Sequence, residues 1–184
     1  RARGLKNPRF LSLQGAYHGD TVGATSLGHI DLFHNAWAGL RFKTDAVMAP
    51  YCYRCPFNRA HPERADAREY RRCHWECVRK VEAKFAAQKH RRNPYAAMVV
   101  EPLMQGAAGM IPQPSGWLGR IAGIVRRHGA QLIADEVMTG FGRVGQASRL
   151  PPSGSGGQDT AEPASRGRNA LGRRGRRDAC PTFF

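Results

Sequence analysis

The chain has 184 residues and carries 29 Lys and Arg against 14 Asp and Glu, a formal net charge of +15. That length suffices for one domain with a sizeable core, and no apolar run approaches the roughly 18 residues that cross a bilayer. The chain starts at Arg1 with neither a methionine nor a charged-then-apolar leader, so it reads as a fragment or processed product of a soluble, cytoplasmic protein.

In chain order, residues 10–13 predict a short strand that leaves through the turn Gln14-Gly15-Ala16. Tyr17-His18-Gly19-Asp20-Thr21 follows, and then a small-residue helix from Asp20 or Thr21 to about Leu27, closing on Gly28. An aromatic ring, an imidazole and a carboxylate therefore emerge where a strand hands over to a helix whose N-terminus favours anions. That suits a phosphorylated or aromatic ligand, although Tyr17 packing on the core and His18 bonding to backbone would use the same residues. A short helix is expected over residues 31–38 and a second strand over 46–49, ahead of Pro50.

The loop Tyr51-Cys52-Tyr53-Arg54-Cys55-Pro56 contains a Cys-x-x-Cys, and residues 63–90 predict a long amphipathic helix with Tyr70, Cys73, Cys77, Val81 and Phe85 along one face. Cys52, Cys55, Cys73 and Cys77 come in two close pairs, which raises zinc. The second pair, Cys-x-x-x-Cys, falls on the helical stripe, and free cysteine behaves as a small apolar core residue. Structural thiols are favoured on this reading, no metal is expected, and disulfides do not suit a leaderless chain. Residues 59–92 also hold eleven Lys or Arg against five acids, a net of +6 that reads as the helix's solvated face.

Residues 95–100 predict a third strand, apolar through Met98-Val99-Val100 and ending in Glu101-Pro102. The small, flexible loop Gln105-Gly106-Ala107-Ala108-Gly109-Met110 follows, and its glycines permit close approach to a ligand. Ser115 is a plausible N-cap for a helix running through Ile121, Ile124 and Val125 to His128-Gly129. The next apolar run, 132–134, predicts a buried parallel strand ending in Asp135-Glu136 and a glycine-punctuated loop, Thr139-Gly140-Phe141-Gly142-Arg143. Neighbouring strands would then aim Glu101 and Asp135 at one crevice outside the carboxyl ends of the sheet. A partly desolvated carboxylate there requires a cation or donors. For Asp135 the candidates are a protonated ring nitrogen of a bound heteroaromatic, the following turn, or Arg143.

Together, Tyr17-His18-Gly19-Asp20-Thr21, the loop from Tyr51 to Pro56, Val100-Glu101-Pro102-Leu103-Met104-Gln105-Gly106 and Ile133-Ala134-Asp135-Glu136-Val137 with the glycine loop resemble the class III pyridoxal-phosphate aminotransferases. The resemblance covers residues 1–145 and implies part of the large domain of a fold-type-I transferase: α/β, three layers, a mostly parallel sheet. It implies a pyridoxal 5'-phosphate site in which Asp135 pairs with the pyridine nitrogen, Tyr17 stacks on or beside the ring, Val137 packs on the opposite face, and His18 and Gln105 lie near the cofactor. Tyr17, Asp20, Glu101 and Arg143 match positions at the substrate site. The motifs are most similar to the subgroup that moves the amino group of S-adenosylmethionine to 8-amino-7-oxononanoate in biotin synthesis, working as a homodimer. Another class III omega-amino-acid aminotransferase is the alternative reading within the family.

The chain departs from the family in two places. The lysine that holds the cofactor as a Schiff base should follow the glycine loop, yet no lysine occurs after Lys89, so no catalytic residue is assigned. Residues 146–184 are rich in Arg, Gly, Pro and Ser without helical or strand period, which predicts a disordered tail. Its abrupt start suggests out-of-frame or unspliced translation, with a basic interaction tail as the competitor. Seven Arg against three acids give it a net of +4, but its only aromatics are the terminal Phe183 and Phe184. Base stacking has little to work with there, and a non-catalytic nucleic-acid-associated protein is the weaker alternative.

Overall fold

The computed structural model describes residues 7–60 and 71–140. Four parallel strands form one sheet in the order β2-β1-β3-β6: β1 is Arg9–Leu13, β2 Asp45–Val47, β3 Tyr95–Val100 and β6 Gln131–Ala134. Parallel neighbours need crossover connections, and the helices supply them. Helix α1 (Val22–Leu27) and α2 (Asp31–His34) lead from β1 to β2, α3 (Glu76–His90) from β2 to β3, and α4 (Trp117–Arg127) from β3 to β6. A two-stranded antiparallel ribbon, β4 (Met104–Gln105) with β5 (Ile111–Pro112), interrupts the last crossover.

Strand side chains alternate between faces, and the alternation sorts the layers. Leu11, Leu13, Met98 and Val100 share a buried cluster with Val81 and Phe85 of α3 and Trp117, Ile121, Ile124 and Val125 of α4. Ser12 turns the other way, donating to Leu27 O at 2.7 Å and meeting His29 Nε2 at 2.9 Å. Helices therefore cover both faces of β1, as the expected three layers require. Opposite the carboxyl ends, Asp45 Oδ2 accepts from Arg9 Nη2 at 2.7 Å and Tyr95 Oη at 2.7 Å, fastening β2, β1 and β3 together.

Several expectations need correction. The long helix begins at Glu76, not Glu63: Trp75 sits in the left-handed region at φ 60° and residues 71–75 are not helical, while Tyr70 and the start of the expected span lie outside the described residues. Cys73 is therefore not on the helical stripe with Cys77. The α-helix expected over 31–38 gives way at Asn35 to a 3₁₀ segment, Asn35–Leu40. Gly116 at φ 78°, not Ser115, caps α4, because only the left-handed backbone turns Pro114 into the helix and Gly adopts it without strain. The strand 132–134 was expected to be buried, but β6 is an edge strand with Ile133 40% exposed. Apolarity reports that a strand can be covered, not whether these residues do the covering. Arg143 and residues 146–184 lie outside the described residues.

Candidate functional site

The sheet's strand order reverses beside β1: the chain leaves β1 for β2 on one side and comes back to β3 on the other. Such a switch point opens a crevice between the two diverging connections, outside the carboxyl ends of the strands. Here the connections carry Tyr17-His18-Gly19 after β1 and Glu101 after β3, and the neighbouring β6 adds Asp135. All five residues line one cavity of about 230 Å³, together with Met104, Gly106, Ala107, Val137, Met138 and Thr139.

Backbone bonds place the acids. Asp135 N donates to Val100 O at 2.8 Å, which extends the β3–β6 ladder by one residue and seats Asp135 beside Glu101. Glu101 Oε2 accepts from Gly106 N at 2.8 Å and Oε1 from Tyr17 N at 3.4 Å, so this carboxylate ties two loops together. Gly106 must stay bare, since a Cβ there would stand 2.7 Å from Met138 Sδ. Asp135 Oδ2 meets His18 Nδ1 at 2.8 Å, with side chains 18% and 4% exposed, and Oδ1 accepts from Val137 N at 3.2 Å. The His18 bond above all holds the Asp135 carboxyl below the usual carboxylate range; burial pushes the other way but is outweighed. The crevice thus contains a fixed anion whose lone pairs are not all used.

The predicted site residues separate into groups. Tyr17, His18, Glu101, Asp135 and Val137 converge on the cavity. Val137 is at the rim, 84% exposed. Tyr17 packs edge-on against Phe33 with centroids 5.8 Å apart, and its hydroxyl donates to Asp20 Oδ2 at 2.9 Å. That bond is the main cause that raises the Tyr17 pKa. Asp20 reaches the site only through this hydroxyl and does not line the cavity. Gln105 is fully buried behind it, donating to Gln14 O at 3.2 Å. The His18–Asp135 pair spans 117 positions of sequence, and no spacing rule announces it. Met104, Ala107, Met138 and Thr139 were missed as lining residues; their one signal was membership of the two loops that follow strand-end acids.

A parallel α/β sheet with this crevice is the fold of the transaminases. Solved relatives include adenosylmethionine-8-amino-7-oxononanoate aminotransferase from Methanocaldococcus jannaschii (TM-score 0.59, 31% identity, covering 78% of this chain and 27% of that one). An amine transaminase from an uncultivated Pseudomonas species in its PLP-bound form gives a TM-score of 0.60 at 35% identity, covering 74% and 28%. The chain belongs to the aminotransferase class-III family, whose model matches residues 2–148. Among curated relatives, adenosylmethionine-8-amino-7-oxononanoate aminotransferase of Geobacter sulfurreducens is 45% identical over 137 residues, 74% of this chain and 28% of the relative. A leucine/methionine racemase of Thermococcus litoralis is 35% identical over 141 residues, covering 77% and 29%. The chain thus spans less than a third of the length of these relatives.

Proposed function

We propose that this chain supplies the ring-nitrogen side of a pyridoxal 5'-phosphate site in an aminotransferase of the lineage that transfers the amino group of S-adenosylmethionine to 8-amino-7-oxononanoate for biotin synthesis. The observation that carries the reading is the His18–Asp135 pair at the switch-point crevice. An anion fixed by an imidazole fits the protonated nitrogen of a pyridine ring, and a carboxylate with its pKa lowered stays charged to hold that proton. The same lineage recurs among the relatives, at 45, 42 and 37% identity in three cases.

Each group has a defined task in this reading. Asp135 keeps the ring nitrogen charged, and His18 orients Asp135. Tyr17, braced by Asp20 and Phe33, flanks the ring, and Val137 closes the other face at the rim. Glu101 holds the loops around Gly106 and Tyr17 at their spacing. When bound, the cofactor supplies an electron-withdrawing ring that accepts the electron pair released at the substrate carbon. Gln105 shapes the wall from behind, and Arg143 would meet substrate.

No lysine occurs after Lys89, and none lines the cavity among the described residues. The chain as written therefore holds the cofactor reversibly and does not turn over. A cytoplasmic homodimer is the setting this lineage implies, with residues 1–145 as part of the large domain and 146–184 as translation in another frame. Reading the coding DNA past Gly145 tests that last point: a family-like continuation with Gly-Lys in another frame is expected, and its absence refutes it.

Equilibrium dialysis with pyridoxal phosphate tests the site. Wild-type chain should retain the cofactor during equilibrium and release it on exhaustive dialysis, and Asp135→Asn should bind at least about tenfold more weakly, one lost charge-assisted bond. Equal retention by both chains would refute the assignment. A broader class III omega-amino-acid activity is the second reading, favoured by the amine transaminase likeness.

A further inference from the structure

The cysteine-bearing loop and the start of α3 are not used by the crevice, and the structure brings them together. A 3₁₀ turn, Cys52–Arg54, closes with Cys55 N donating to Cys52 O at 3.3 Å, and the side chain of Asn58 donates to the same carbonyl at 2.9 Å. This is a tight turn with two thiols three residues apart. Asn58 Oδ1 accepts from Arg72 N at 2.8 Å, and Arg59 N donates to Arg72 O at 2.9 Å, so the turn is stitched to the residue just before Cys73. From the other side, Lys80, three residues after Cys77, lies over the Phe57 ring at 5.3 Å. The segment carrying Cys73 is itself fixed: Arg71 Nη1 donates to Cys73 O at 3.0 Å, and its guanidinium stacks 3.8 Å over Trp75.

The four sulfurs feel one another. Burial pushes the Cys52 thiol up to about 12, and Cys77, Cys73 and Cys55 each add to that rise. Burial likewise pushes Cys77 up to about 11, again with Cys73 and Cys55 adding. Cys52 and Cys77 are each 7% exposed. Thiolates gathered here repel one another, and a dication among them reverses that interaction and strips their protons outright.

We propose that Cys52, Cys55, Cys73 and Cys77 form a four-thiolate site for one zinc ion, which fastens the 52–60 loop to the N-terminus of α3. As they stand, no three such donors among the described residues meet on one point; metal and local order form together in such sites, and a rotation about χ1 in each pair is the adjustment open to them. Cys73 lies in a non-helical segment free to follow, which removes the argument that placed it on an apolar helical stripe. Zinc binding displaces the thiol protons to solvent and leaves a closed tetrahedral centre with no position for substrate, so its role is structural.

The full chain, expressed with zinc, tests this by elemental analysis and by thiol titration under denaturation. About one zinc per chain is expected, released as the thiols are capped by an organomercurial. Cys55→Ser and Cys73→Ser, at the two less buried positions, should each lose most of the metal, whereas Cys180→Ser should keep it. Cobalt in place of zinc should give intense thiolate-to-metal charge-transfer absorption and tetrahedral d–d bands, a readout that does not depend on the variants folding. A zinc-free chain with every thiol titrating, thiols that appear only after reduction, or metal retained by both serine variants would each overturn the site.

Discussion

Replacing His18 by Phe keeps the ring's bulk and deletes the nitrogen that fixes Asp135. The bond is 2.8 Å long and joins side chains 4% and 18% exposed, so its loss leaves a largely covered carboxylate with Val137 N as its remaining printed donor. Hydrogen bonds to charged groups contribute about 1.5–3 kcal/mol, and the residual access of water to Asp135 argues for the lower half of that range. Urea unfolding followed by tryptophan fluorescence measures the cost, and the cycle completed by Asp135→Asn isolates the coupling. Because the folded-state pKa of Asp135 lies below its unfolded value, the stabilisation is fully present above about pH 4 and is lost as pH falls through the lowered folded value. The penalty for His18→Phe should shrink over that acid window. A coupling under about 0.5 kcal/mol at neutral pH, the level of an exposed pair, would show that the pair does not hold the crevice.

Tyr95→Phe removes one of two 2.7 Å bonds to Asp45 and should cost about 1–2 kcal/mol in urea unfolding. Burial would raise the Asp45 pKa, but the Tyr95 and Arg9 bonds outweigh it, so this contribution too is present above about pH 4 and fades below it. Trp117→Ala, at a fully buried position between α4 and the sheet, should cost about 3–5 kcal/mol, read from the shift in urea midpoint. Gly28→Ala would drive a methyl into the His34 ring and lower stability by about 1–3 kcal/mol; His34→Ala in the same chain should recover part of that loss, and no recovery would contradict the contact.

The sequence was most informative where one local rule acts alone. The apolar runs before Glu101 and Asp135 could only be strands in a parallel α/β order, so both acids fall at carboxyl ends, and β3 and β6 do pair in register from Ala97↔Gln131 to Val100↔Ala134. Thr21 at the N-cap of α1 was legible for the same reason, its hydroxyl accepting from Ala24 N at 3.3 Å. Boundaries failed where a backbone angle decided them: nothing in the letters marks Trp75 as left-handed, and that angle removes Cys73 from the helix.

Strand periodicity and glycine placement, which are local, determined the α/β class, the order of the motifs and the two strand-end acids. Only the tertiary structure decided that the strand order reverses at β1, that His18 and not another cation faces Asp135, and that Gln105 points away from the cavity. These are distances between segments far apart in sequence, set by which crossover packs on which face of the sheet, and side-chain identity along the chain does not encode such distances one residue at a time.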